Sequence, residues 1–95
     1  MTYQVKAKVL RFDGYAAWHY AEIPKQIYTE MLGESLVFKR GFGSIPVKVT
    51  LGNTVWETSI FPIGGGKYMI AIKAMVRKKE NISEGDQITI LFEPR

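Results

Sequence analysis

Both helix-like segments of this sequence are too short to cross from one parallel strand to the next. The first, "PKQIYTEML", starts at Pro24, which suits the first position of a helix, and it is followed by Gly33, which suits a C-terminal cap. The second, "KAMVRKKEN" (73–81), is equally brief. Because parallel strands require a longer crossover, the strand-like segments around these helices are expected to pair antiparallel.

Apolar residues recur at every second position within 3–12, 45–51 and 87–93, as in strands with one buried face. Tight turns are indicated at Gly52-Asn53 and at Gly64-Gly65-Gly66. Strands are expected at 3–12, 18–23, 45–51, 54–61, 67–72 and 87–93, with a shorter, seventh one at 36–38. Every strand edge is paired if these segments close on themselves. The predicted fold is therefore mostly β: a closed or nearly closed single-chain barrel of six to seven strands with two short helices.

The composition is typical of one folded domain, expected to span residues 1–95. Apolar residues make up 46% of the chain and charged residues 23%, which argues against a disordered protein. No apolar run is long enough for a membrane span, the start lacks a signal-peptide pattern, and the absence of cysteine fits a reducing compartment. We therefore expect a cytoplasmic monomer with no membrane partner and no cofactor.

A faint internal repeat links the two helix-like segments. Residues 12–24 and 61–73 share one plan at one length: a glycine-containing turn, a strand that ends in isoleucine, and the start of a helix. An aliphatic residue, Ile27 in one copy and Val76 in the other, lies three positions into each helix. The pattern predicts two strand–helix units related by a pseudo-twofold axis.

The second unit and the residues after it, "IKAMVRKKENISEGDQITI", resemble the swapped-hairpin sequence of AbrB/MazE-type proteins. A closer resemblance covers nearly the whole chain, which is similar to the family called domain of unknown function 1905. Five segments carry that similarity in order: Trp18-His19, the Arg-Gly-Phe-Gly-Ser stretch at 40–44, 56–62, 73–77 and Gly85-Asp86. The resemblance implies a double-split β-barrel related in fold to the AbrB/MazE group. It implies no activity, because the family is uncharacterised.

The stretch "RGFGS" (40–44) has two interpretations. Glycines on both sides of Phe42 permit a bend in which Phe42 plugs one end of the core. They also permit a nest of backbone N–H groups that holds an anion beside Lys39 and Arg40. The bend is favoured.

His19 is the only histidine of the chain, and it stands between two aromatic residues, Trp18 and Tyr20. One histidine without any cysteine does not make a typical zinc site, so no metal site is expected. Catalysis by His19 would require a nucleophile brought to it by the fold, and Ser44 and Ser59 are the candidates. Because their spacing does not indicate a triad, a structural or ligand-stacking role for Trp18 and His19 is favoured.

The leading functional hypothesis is a non-enzymatic binding module without catalytic residues. The net charge of +4 favours an anionic ligand only mildly. The candidate ligand-binding residues come from the family-like segments and from their side-chain chemistry: Trp18, His19, Arg40, Phe42, Lys73 and Arg77.

Two alternatives stay open. One is weak, salt-sensitive binding of nucleic acid by a phosphate-contacting surface with aromatic side chains that stack on bases. The other is a small enzyme that uses His19 in a pocket at the end of the barrel. The surface for nucleic acid would combine 77–79 with Lys6, Lys8, Lys39, Arg40 and Lys48, and with Tyr15, Trp18, Tyr20 and Tyr68.

Overall fold

The computed structural model describes residues 2–12, 18–33 and 43–95. Over these residues the chain forms seven β-strands and two α-helices. In chain order they are β1 (Tyr3–Lys8), β2 (Leu10–Arg11), β3 (His19–Ile23), α1 (Lys25–Gly33), β4 (Ile45–Leu51), β5 (Thr54–Gly64), β6 (Lys67–Ala71), α2 (Ala74–Glu80) and β7 (Gln87–Pro94). The strand expected at 36–38 and most of the bend at 40–44 lie outside the described residues.

The seven described strands form one antiparallel sheet in the order β1-β7-β4-β5-β6-β3-β2. Its first and last strands, β1 and β2, are separated in sequence by Val9 alone. The Val9 N–H donates to the Asp86 carbonyl and the Val9 carbonyl accepts from the Gly85 N–H, both at 2.8 Å, whereas Leu10 already pairs with Tyr20 of β3. The sheet therefore curls until its edges meet at Val9. The prediction of a mostly β, nearly closed barrel with two short helices is confirmed.

The interior of the barrel is built from the apolar faces of the strands. Val47 and Val49 of β4, Ile70 of β6 and Ile90 of β7 are fully buried, and burying a side chain of this size stabilises the fold by about 1.5–3 kcal/mol. Lys48, which lies between the two valines, is exposed, as strand alternation requires. The remaining members of this core are Tyr3, Val5, Val9, Ala21, Ile23, Tyr28, Met31, Ile45, Leu51, Trp56, Ile60, Ile72, Val76, Ile88 and Phe92. The shared apolar interior predicted from the alternation is thus present.

The two strand–helix units are related by a local twofold axis. Ala21 of β3 pairs directly with Ile70 of β6, and the two helices begin at Lys25 and Ala74. Both pairs of residues are separated by 49 positions. Because residues that face each other across antiparallel strands are related by a twofold axis, the axis between Ala21 and Ile70 exchanges the two units. This is the arrangement that the sequence repeat predicts.

The ends of both helices are explained by local backbone chemistry. The Pro24 carbonyl accepts hydrogen bonds from the N–H groups of Ile27 and Tyr28 at 3.0 and 3.2 Å, so the proline lies just before α1 rather than at its first position. Gly33, which the sequence predicts as the C-terminal cap of α1, is instead the last residue of the helix. Helix α2 ends at Glu80 and is capped by Asn81, whose φ of 55° is one that asparagine tolerates well. Among the described residues there is no helix with the length and apolarity that crossing a membrane requires.

Helix α2 is tied to the β4–β5 hairpin by Glu80. The Thr54 hydroxyl donates to Glu80 Oε2 at 2.7 Å, and the other carboxylate oxygen lies against the turn at Gly52. Gly52 has a φ of +59°, and a Cβ at this position would overlap Glu80 Oε1. The turn therefore requires glycine both for its backbone conformation and for the close approach of the helix end.

Candidate functional site

A cavity opens where β3 begins, β6 ends and α2 starts. Its volume is about 480 Å³, which lies within the range of small-molecule binding sites. The side chains around it come from the residue before β3, the middle of β5, the end of β6 and the first turns of α2. Its lining residues are Trp18, His19, Thr58, Phe61, Ala71, Ile72, Lys73, Ala74 and Arg77.

The antiparallel pairing of β3 and β6 brings the cationic residues of α2 to His19. Beyond the last ladder pair, the Ile72 N–H donates to the His19 carbonyl at 2.8 Å, so the chain leaves β6 beside the start of β3. Helix α2 begins two residues later. The Arg77 N–H donates to the Lys73 carbonyl at 3.0 Å, which places Lys73 and Arg77 one helical turn apart on the same side of α2.

The guanidinium of Arg77 is held at two points. Its Nε donates to the Ile72 carbonyl at 3.3 Å, and its Nη1 lies 3.3 Å from His19 Nε2. A guanidinium has donors and no acceptor, so His19 Nε2 must accept this hydrogen bond. The tautomer of His19 that makes this hydrogen bond carries its ring proton on Nδ1.

The Nδ1 atom of His19 is buried and has no hydrogen-bond partner among the described residues. A buried donor without a partner costs about 1–3 kcal/mol, and such groups are uncommon in folded proteins. Trp56 Nε1, which is outside the cavity lining, is in the same state. Among the described residues, the ring of His19 thus makes its hydrogen bond to Arg77 and none through Nδ1.

The described side chains that line the cavity carry positive charge only. Ion pairs between described residues join Lys48 to Glu93, Lys67 to Glu22 and Arg95 to Glu57, so neither Lys73 nor Arg77 is neutralised by a described carboxylate. None of the described residues that line the cavity is acidic. The described part of the chain also contains no group of three or more His, Cys, Asp or Glu side chains that could hold a metal ion.

Two large aromatic side chains stand at this cavity without being buried in the core. Trp18 is 48% exposed and Phe61 is 37% exposed, although both rings are large and apolar. Aromatic rings left open beside polar groups are typical of binding sites, because they offer apolar contact area at low cost in side-chain entropy. The cavity therefore combines apolar walls with two cations.

Four of the six residues predicted from the sequence lie together in this cavity: Trp18, His19, Lys73 and Arg77. The other two, Arg40 and Phe42, lie outside the described residues. Ser44 and Ser59, the candidate nucleophiles, are not among the lining residues. Sequence reasoning missed Phe61 and Thr58. Both fall within the Trp-x-Thr-Ser-x-Phe-Pro segment at 56–62, which was the signal that could have found them.

A family model described as "Domain of unknown function (DUF1905)" matches residues 6–91, which is nearly the whole chain. The chain belongs to the DUF1905 family. The matched region contains every residue that lines the cavity. A comparison with curated proteins finds no match. Membership of the DUF1905 family therefore confirms the resemblance seen in the sequence and assigns no activity.

Proposed function

We propose that this protein is a small, non-enzymatic binding module of the cytoplasm that acts as a monomer and holds a small anionic ligand in the cavity beside His19. One observation carries the proposal. Two cations without an acidic partner among the described residues, Lys73 and Arg77, and two open aromatic rings, Trp18 and Phe61, line the same cavity.

The proposal follows from what each part of the cavity lacks. The cations lack a counter-charge among the described residues, and an anion would supply it in a partly desolvated site where such pairs are stronger than in water. The aromatic rings lack apolar neighbours on their open sides, and the carbon skeleton of a ligand would supply them. A ligand with both an anionic group and an apolar body meets both needs.

An enzymatic role for His19 is less well supported. A general base must reach the proton that it abstracts, and the Nε2 lone pair of His19 is already directed at Arg77 at 3.3 Å. Among the described residues, no carboxylate or hydroxyl group is hydrogen-bonded to the ring, although Thr58 lines the same cavity. The geometry supports a role for His19 in positioning Arg77.

Binding of nucleic acid is also less well supported. A phosphate-contacting surface needs unpaired cations over an extended area. Lys48 instead lies opposite Glu57 on one neighbouring strand and Glu93 on the other, with a Lys48 Nζ–Glu93 Oε1 distance of 3.9 Å. An electrophoretic shift assay with single- and double-stranded oligonucleotides at low salt tests this alternative, and we expect no complex.

The proposed function is tested by NMR titration of the whole protein with a panel of small aromatic and aliphatic anions. Trp18 is exposed at the cavity and Trp56 is buried outside its lining, so the two indole N–H signals give a reporter and an internal reference. We expect at least one anion to shift the Trp18 signal in a saturable manner while the Trp56 signal stays in place.

A matched pair of variants checks that the cavity cations are responsible. The double variant Lys73→Gln, Arg77→Gln removes two charges from the cavity, and Lys78→Gln, Lys79→Gln removes two charges from the same helix outside the cavity lining. Only the first variant should abolish the Trp18 shift. Equal losses in both variants, or no shift of Trp18 with any anion of the panel, would contradict the proposal.

A further inference from the structure

We propose that the ligand of this cavity is a planar carboxylate attached to an aromatic or similarly flat body, and that Arg77, positioned by His19, recognises the carboxylate with the outer edge of its guanidinium. This inference rests on the proposed function and adds the chemical class of the ligand.

The Arg77 guanidinium has more N–H donors than its two described hydrogen bonds use. A guanidinium has five N–H groups in one plane. The Nε–H is directed to the Ile72 carbonyl, and one N–H of Nη1 is directed to His19 Nε2. One N–H of Nη1 and both of Nη2 have no described partner. One N–H of each terminal nitrogen can form a parallel pair that matches the two oxygens of a carboxylate, and this pair is open when His19 accepts the other N–H of Nη1.

The guanidinium of Arg77 is fixed in orientation by two anchors. One anchor is the backbone carbonyl of Ile72 and the other is the ring of His19, and Ile72 and His19 are themselves joined by a backbone hydrogen bond of 2.8 Å. A planar donor pair that is fixed before binding loses less entropy when it meets a planar acceptor pair. Lys73 is exposed and has no such fixed geometry, so it contributes charge rather than direction.

The remaining walls of the cavity suit a ligand with a flat body. Trp18 and Phe61 present broad, flat side chains, and Ala71 and Ala74 leave room beside them. A flat ring can be placed against such walls with little loss of contact. A phosphate has further oxygens that the Arg77 edge does not match, and among the described lining residues only the flexible Lys73 ammonium and the Thr58 hydroxyl could donate to them from their side chains outside the Arg77–His19 pair.

The inference is tested with three probes that share one phenyl ring: benzoate, benzamide and phenyl phosphate. We expect benzoate to shift the Trp18 signal at the lowest concentration, and both benzamide and phenyl phosphate to bind more weakly. The matched variants Arg77→Lys and Lys73→Arg both keep the net charge. Loss of two charge-assisted hydrogen bonds in the first should weaken benzoate binding about tenfold or more, whereas the second should change it by about threefold or less.

The role of His19 is tested separately, in the unaltered protein and in His19→Leu. Nitrogen-15 spectra of the histidine ring should show a protonated Nδ1 and an unprotonated Nε2 at neutral pH, and this readout does not depend on the folding of any variant. In His19→Leu, we expect the preference for benzoate over phenyl phosphate to fall about tenfold. A merely structural role for His19 would weaken both ligands in proportion and leave that ratio unchanged.

The outcomes separate the two proposals. Tighter binding of phenyl phosphate than of benzoate, equal effects of Arg77→Lys and Lys73→Arg, or a proton on Nε2 would overturn the carboxylate inference and leave the binding function standing. A Trp18 signal that responds to no anion at all would remove both proposals.

Discussion

The pseudo-twofold axis gives this protein two versions of one contact, and they differ in chemistry. His19 and Tyr68 are 49 positions apart, and so are Tyr28 and Arg77, as are the paired residues Ala21 and Ile70 at the axis. The contact between His19 and Arg77 is therefore the counterpart of the contact between Tyr68 and Tyr28. In each case a strand residue of one unit meets a helix residue of the other.

The tyrosine version is packed and satisfied. The rings of Tyr28 and Tyr68 stack with centroids 3.8 Å apart, and the Tyr28 hydroxyl donates to the Gly43 carbonyl at 2.6 Å. The His19–Arg77 version leaves His19 Nδ1 without a described partner and borders an open cavity. One version packs two rings together, and the other leaves a buried ring nitrogen without a described partner at the edge of the cavity. The same backbone arrangement thus supports packing at one site and, in our proposal, recognition at the other.

The largest expected effect separates the two versions by stability. Tyr28→Ala removes a buried ring, its stacking partner and its hydrogen bond, and should lower the free energy of unfolding by about 3–5 kcal/mol. Arg77→Ala removes only part-buried hydrogen bonds and should cost about 1 kcal/mol while abolishing anion binding. Urea unfolding of both variants measures the difference. An equal loss in the two variants would show that the Arg77 contact is also a packing element.

The second effect concerns the attachment of α2, which carries Arg77. Gly52→Ala forces a side chain into a left-handed backbone conformation and against the Glu80 carboxylate, and should destabilise the protein by about 2 kcal/mol. The loss of unfolding free energy caused by Gly52→Ala should be smaller in a Glu80→Ala background, where the steric conflict is absent and the backbone strain remains. A double-mutant cycle by urea unfolding measures this coupling. Full additivity of the two changes would mean that Glu80 does not restrain the turn.

The smallest effect is a pH dependence of the contact between Tyr28 and Tyr68. Burial, and secondarily the neighbouring Tyr68, raise the pKa of Tyr28 above its ordinary value of 10.0. The folded state therefore holds this proton more tightly than the unfolded state does. The resulting stabilisation is complete below pH 10.0 and is lost as the pH rises through the folded-state pKa.

Replacement of Tyr28 by phenylalanine isolates the contribution of the Tyr28 hydroxyl group to stability. Tyr28→Phe should lose about 1 kcal/mol at neutral pH with its hydrogen bond, and its stability should fall less steeply above pH 10.0 than that of the unaltered protein. Chemical unfolding at a series of alkaline pH values gives both numbers. Parallel pH profiles for the two proteins would show that Tyr28 does not carry the alkaline sensitivity.

Much of the fold was predictable because its signals are local. The alternation of valine and lysine, followed by Gly52-Asn53, predicts β4 with the bounds that the structure shows, Ile45–Leu51. The segment predicted as one strand at 3–12 is divided into β1 and β2, and this division was not predictable from local signals. Val5, Ala7 and Val9 keep the same alternation up to the point where the chain changes partners from β7 to β3, so the change leaves no trace in the periodicity.

The candidate site was predictable only in part, because it depends on cross-strand neighbours. Trp18, His19, Lys73 and Arg77 were found through side-chain chemistry and family-like segments, but their meeting depends on the register of β3 against β6. Phe61 reaches the same cavity from β5, which the sequence does not place beside His19. The equivalence between the His19–Arg77 and Tyr28–Tyr68 contacts likewise becomes visible only when Ala21 is seen opposite Ile70.

The joint at Val9 has a mechanical consequence. Because β1 and β2 are consecutive parts of one chain, the two edges of the sheet are joined covalently at Val9, and the hydrogen bonds of Val9 to Gly85 and Asp86 hold this joint beside the start of β7. Separating β1 from β7 displaces β2, which is paired with β3. The β1–β7 and β2–β3 pairs are therefore expected to open together.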